Sequence, residues 1–217
     1  DLDDDMIVQN NFTSTSTNSG NNISAVGAET HTISVTGNVI HSGTNNIYGA
    51  VTLVMNGTTA QTVTTSSTGK LGSLRISNTS ATVELGSDLK MNGRLTIDPS
   101  ATLDVTNNNY DITLNTGVTS PSDTGWVRNG VFTQRQGTVT FNSDLQPGWN
   151  AAITGATTFY DLAFTGTGYG WDLDDDMIVQ NNFTSTSTNG GNNISAVGAE
   201  THTISVTGNV IHSGTNN

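Results

Sequence analysis

The sequence predicts an all-β chain wound as a parallel β-solenoid, a β-helix of about 21 residues per coil with no α-helix. Two observations carry this expectation. Apolar residues alternate with polar ones in short runs along the whole chain, and those runs return at a steady interval. A third observation, a long internal repeat, says that the solenoid is a tandem array.

The alternation comes first. Ile33 and Val35, Val51 and Leu53, Leu74 and Ile76, Val83 and Leu85, and Leu89 and Met91 each flank one outward residue. Leu95 and Ile97, Leu103 and Val105, Ile112 and Leu114, Val139 and Phe141, and Leu162 and Phe164 continue the series. A period of two marks a strand with one buried face. Gly, Asn, Asp and Ser fill the gaps between runs, and these are the residues that turn a chain. No stretch of ten or more residues keeps a helical period, hence the expected absence of helix.

The interval follows. Leu53, Leu74 and Leu95 stand 21 residues apart, a length that suits three short strands and three turns. A weaker similarity at an offset of 88 matches the runs at 49, 73, 83, 89 and 95 to those at 137, 161, 171, 177 and 183. It divides the long repeat into two degenerate halves of about four coils each, so about eight coils are expected per long repeat. At about 4.8 Å between paired strands, such a repeat rises by roughly 38 Å. A string of sandwich domains is the rival all-β architecture, but the beat continues without a linker or hinge.

The long repeat itself is almost exact. Residues 172–217 repeat residues 1–46 at an offset of 171, the one difference being Ser19 against Gly190. Residues 1–171 are therefore one full repeat and 172–217 the start of the next, in one continuous solenoid. Near identity suits a shaft whose units need only stack alike, either as one long polypeptide or as a polymer. Further copies of the same repeat, stacked end to end, are the expected partners.

The net charge is −12, but part of the acidic segment is counted twice. Residues 1–171 hold 13 Asp and Glu against 6 Lys and Arg, so the charge per repeat is 6 − 13 = −7. That balance argues against nucleic acid and against anionic membrane surfaces, both of which need basic patches. No apolar run reaches the length that spans a membrane, so no membrane insertion is expected. The chain has no Cys, which removes disulfides and zinc-thiolate sites.

The candidate site is the segment DLDDD, present twice. Asp1, Asp3, Asp4 and Asp5 recur as Asp172, Asp174, Asp175 and Asp176. Consecutive carboxylates repel one another, and a calcium ion bound through oxygen would relieve that repulsion. The spacing is not that of an EF-hand, which requires a 12-residue loop closed by Glu. The competing reading is a turn, since Asp carboxylates accept hydrogen bonds from nearby backbone N–H groups. At the offset of 88, Asp174 and Asp175 fall on Gly86 and Ser87, which places them at a corner, with Trp171, Leu173, Met177 and Val179 pointing inward.

Other chemistry is thinner. His31 and His41 recur as His202 and His212, with no further ligand type beside them, and read as surface residues. Lys70, Arg75, Lys90, Arg94, Arg128 and Arg135 are few and not grouped with the aspartates, so no enzyme is expected. Thr-rich runs suggest an ice-binding face, but Arg75, Glu84 and Lys90 interrupt the outward ranks. Asn11, Asn22, Asn56 and Asn78 head N-x-S/T sequons, and in a chain so rich in Asn and Thr such triplets arise by chance. Carbohydrate binding would require exposed aromatics, for which Trp126 and Trp149 are the expected positions. Phe141, Phe159, Leu162 and Phe164 read as core.

Gly137 to Phe141 (GTVTF), Thr157 to Leu162 (TTFYDL) and Asn182 to Thr184 (NFT) together resemble the β-helical repeats of very large bacterial secreted or surface proteins, often adhesins. The resemblance covers most of both half repeats. It implies an extracellular or cell-surface setting and a structural filament or adhesin stalk. Cell-surface or matrix polysaccharide is the further partner it implies, and a polysaccharide-binding or polysaccharide-processing β-helix is the alternative.

Overall fold

The structure, a computed structural model, describes residues 1–17, 21–25, 30–47, 50–115, 124–144, 150–188, 194–196 and 200–214. Among these there is no helix. There are 26 short strands, and every pairing between them is parallel. The chain winds as a β-solenoid with three sides. It passes each side in turn, so a strand pairs with the strand one coil earlier and one coil later.

One side is a single nine-stranded sheet running from Met6–Val8 to Ile194–Ala196. A second carries six strands from Phe12–Ser14 to Val131–Thr133, and its place in the coil order is then taken by Thr157–Phe159, Met177–Val179 and Ile204–Val206. The third begins with Asn21–Ile23 on Asn46–Ile47, passes through bridges at Lys70 and Leu71, and continues from Leu89–Met91 to Val210–His212. Every residue of the ten alternating pairs expected to point inward is buried. The core they form is one narrow column along the axis.

The coils are not uniform. Register steps along the nine-stranded sheet are 20 residues from Ile33 to Leu53, then 21 to Leu74 and 21 to Leu95. The next two are 31 to Trp126 and 27 to Ile153, before a return to 20 at Leu173. Short coils have aliphatic cores. From the long coil onward the column turns aromatic: Trp126 meets Phe132 at 5.1 Å, Phe159 at 5.6 Å and Phe141 at 5.9 Å between ring centroids, and Phe141 meets Trp171 at 4.7 Å. Larger side chains fill a wider cross-section, as close packing requires. Trp126 is fully buried and donates from Nε1 to Thr157 Oγ1 at 3.3 Å. The expectation that it is exposed is thereby corrected: Gly125 precedes it in place of the usual polar-apolar alternation. Trp149 lies outside the described residues.

The count of coils per repeat also changes. Between Leu2 and its copy Leu173 the described residues form 21 strands, and the bridging pair Lys70 and Leu71 brings the count of strand positions to 22. With three positions per coil this is seven coils and a third, not eight. The similarity at 88 has the same character. Its matched runs are all strands, but Leu85 follows Leu2 by 11 positions and Leu173 follows Leu85 by another 11. Leu2, Leu85 and Leu173 therefore lie on three different sides of the solenoid. At about 4.8 Å per coil the rise per repeat is roughly 35 Å.

Candidate functional site

Each acidic segment forms a strand end, a corner and a strand start, as the match to Gly86 and Ser87 predicts. In the second copy Trp171–Leu173 ends one strand and Met177–Val179 begins the next. Trp171, Leu173, Met177 and Val179 are buried, which leaves the aspartates between them facing outward.

The carboxylates engage separate partners. Asp172 Oδ1 accepts from Asn150 Nδ2 at 2.8 Å and from the Ser195 hydroxyl. Asp175 Oδ2 accepts from Gly155 N–H at 2.7 Å, and Asp176 Oδ1 from Thr203 N–H at 2.8 Å. Asp174 donates its own backbone N–H to Ile153 O. In the first copy Asp5 Oδ1 accepts from Thr32 N–H at 2.8 Å and Asp1 from the Ser24 hydroxyl, while Asp3 and Asp4 are exposed. The backbone hydrogen bond from Thr32 holds the Asp5 carboxyl below its ordinary range, with a smaller contribution from His31. Each of these bonds reaches to a neighbouring coil, so the aspartates tie coils together. Among the described residues, no three His, Cys, Asp or Glu side chains come together in a way that could hold a metal ion.

The histidines divide. His31 and His202 flank the corner aspartates, with Nδ1 3.7 Å from Asp5 and 3.8 Å from Asp176. His41 is instead buried, because alternation after Val39 turns it inward. Its Nε2 lies 2.6 Å from Asn45 O, so Nε2 carries the proton and donates. Its Nδ1 is buried without a hydrogen-bond partner. Burial pushes the His41 imidazole below its ordinary value, opposed by the bond to Asn45.

A second polar constellation was not visible in the sequence. Asp104 and Arg135 are 31 residues apart, and the coil brings them into a two-point ion pair: Nε donates to Oδ1 at 3.1 Å and Nη2 to Oδ2 at 2.7 Å. Thr106 N–H adds a bond to Asp104 Oδ1 at 2.7 Å. Burial alone would raise the Asp104 carboxyl, but Arg135 and the Thr106 N–H outweigh it and hold it low. The pair borders a cleft of about 430 Å³ on the side formed by Gln61–Thr65, Val83–Leu85 and Thr102–Asp104. The remaining arginines with described bonds are tied down elsewhere: Arg75 to Asp98 at 2.8 Å, Arg94 to the Thr124 hydroxyl and Arg128 to Ala156 O.

Of the sequons, Asn78 is buried, its amide bonded to Thr59 O and Gln61 Oε1. The folded chain therefore offers no access to it. No helix among the described residues is long and apolar enough to cross a membrane. Comparison with known proteins returns no matching family, no matching curated protein and no matching solved structure.

Proposed function

We propose that the chain is a section of a structural extracellular filament or adhesin stalk, a shaft built from tandem β-solenoid repeats stacked end to end. One observation carries this reading. Coil stacking runs unbroken from the first repeat into the second: Ile153 pairs with Leu173, which pairs with Ala196, and Leu162 pairs with Phe183, which pairs with Val210. Among the described residues no hinge or separate core intervenes.

The two copies also differ in a way that supports stacking. Val39 is buried, while its copy Val210 is 64 % exposed; Met177 is buried, while Met6 is 42 % exposed. The residues are the same, and what differs is whether a coil lies above or below them. Covering such faces with further repeats removes apolar surface and pairs the open strand edges. No catalytic role enters this reading.

Rod length is the test. Proteins carrying one, two and three additional 171-residue units are measured by negative-stain electron microscopy and small-angle scattering. The expected result is an unbranched rod that lengthens by roughly 35 Å per unit. Beads on a string, or a length that does not grow in proportion, would reject the shaft.

A further inference from the structure

We propose that the cleft beside Asp104 and Arg135 is a binding site for a neutral polysaccharide chain, a function separate from the shaft. The turn after Val83–Leu85 has three residues, 86–88, whereas the corresponding turn one coil on has seven, 105–111. Both turns contribute to the cleft, which is lined by Thr62, Glu84 and Gly86 together with Asn107, Asn108 and Tyr110 of the longer turn.

The lining chooses the ligand. Asp104 and Arg135 pair at 2.7 and 3.1 Å, and with the exposed Glu84, which also attracts Arg135, the lining holds two carboxylates against one guanidinium. A net negative cleft on a net negative chain repels acidic polymers. Its hydroxyls, side-chain amides and carboxylate both donate and accept, which matches a polyol and leaves an apolar molecule without compensation. The half-buried Tyr110 ring gives a flat apolar surface for the C–H face of a sugar, and its hydroxyl is held by Asn108 Nδ2 at 3.3 Å. Coils repeat every 4.8 Å or about the length of one pyranose ring, so successive coils can meet successive sugars.

The site is also held in shape before anything binds. Four non-glycine residues among those described have left-handed backbones; two of them, Thr106 (φ 64°) and Arg135 (φ 47°), line this cleft, and a third, Asn109 (φ 59°), stands between the lining residues Asn108 and Tyr110. Such conformations persist only where surrounding contacts enforce them. Here the Asp104 carboxylate fixes Thr106 and Arg135, and Asn109 Oδ1 accepts from Gln136 N–H at 3.1 Å.

Titration calorimetry of the whole chain against cellohexaose, xylohexaose, mannohexaose and maltohexaose, with polygalacturonate as the acidic comparison, decides the matter. Saturable binding of at least one neutral hexasaccharide is expected. Glu84→Gln and Asn108→Ala, both at exposed positions, should each weaken it about fivefold or more, the worth of one hydrogen bond. Thr113→Ala on the neighbouring side should leave it unchanged. Binding by none of the four neutral sugars, tighter binding of polygalacturonate, or affinity indifferent to both cleft variants would overturn the proposal. None of these outcomes alters rod length, so the shaft reading stands or falls separately.

Discussion

Gln61 provides the sharpest test of how this column is held together. It occupies an inward position in Gln61–Thr65 and is 1 % exposed, a place that the next three coils fill with Val83, Leu103 and Phe132. Its Nε2 donates to Val35 O at 3.0 Å and to Gly37 O, and its Oε1 accepts from Gly57 N–H at 2.9 Å and Asn78 Nδ2 at 3.1 Å. One side chain thus satisfies turns in three successive coils. In Gln61→Leu the volume is kept and the bonds are lost. Val35 O still receives Asn56 N–H, and Asn78 Nδ2 still reaches Thr59 O. Gly57 N–H and Gly37 O lose what Gln61 gave them. A buried group without a partner costs about 1–3 kcal/mol, and the apolar Leu recovers part of the sum, so a net loss of about 2–4 kcal/mol is expected. For a chain of this size that lowers Tm by roughly 4–16 °C. Circular dichroism melts measure the loss, and hydrogen exchange over residues 50–66 locates it, because solenoids can open one coil at a time. A Gln61→Leu protein as stable as the parent would refute the reasoning.

Three further outcomes follow from the same structure. His41, held neutral by burial, has a folded-state pKa below the unfolded value of about 6.5, so the unfolded chain binds the proton better. Stability is then fully present above that value and declines as pH falls beneath it, and His41→Gln should flatten the decline in urea midpoints compared between neutral and mildly acid buffer. Gly155 has φ +94°, and a Cβ there would sit 2.0 Å from Arg128 O, so Gly155→Ala should cost about 1–3 kcal/mol or more in denaturant melts. Because Asp172, Asp175 and Asp176 already accept bonds from separate donors and no three carboxylates converge among the described residues, EDTA should leave Tm unchanged, and a fall on chelation that calcium restores would establish a metal at the corner.

The strands were legible because a two-residue period needs only local information. Val83 and Leu85 announce an inward pair whichever side of the solenoid they occupy. For the same reason the period could not say which side that is. Leu53, Leu74 and Leu95 sample three successive coils of one sheet, so their spacing gave a true coil length, but only for the short coils. The longer step from Leu95 to Trp126 has no apolar signature of its own. The corner aspartates were placed correctly by their match to Gly86 and Ser87. Their donors, such as Gly155 N–H and Thr203 N–H, come from neighbouring coils and were not visible. Gln61 and the pairing of Asp104 with Arg135 also depend on contacts across coils. An inward glutamine in QTVTT looks like an interruption of the pattern until Val35, Gly57 and Asn78 are seen around it.

The remainder of one strand when 22 positions are divided among three sides has a further consequence. It makes sequence repetition and spatial repetition different operations: neighbouring repeats are related by a threefold screw, and a residue regains its original side only after three units, roughly 105 Å along the axis. An array of such repeats has no permanent front or back. Every position must serve on each side in turn, so no one side can specialise, and whatever a repeat displays winds around the solenoid as a thread.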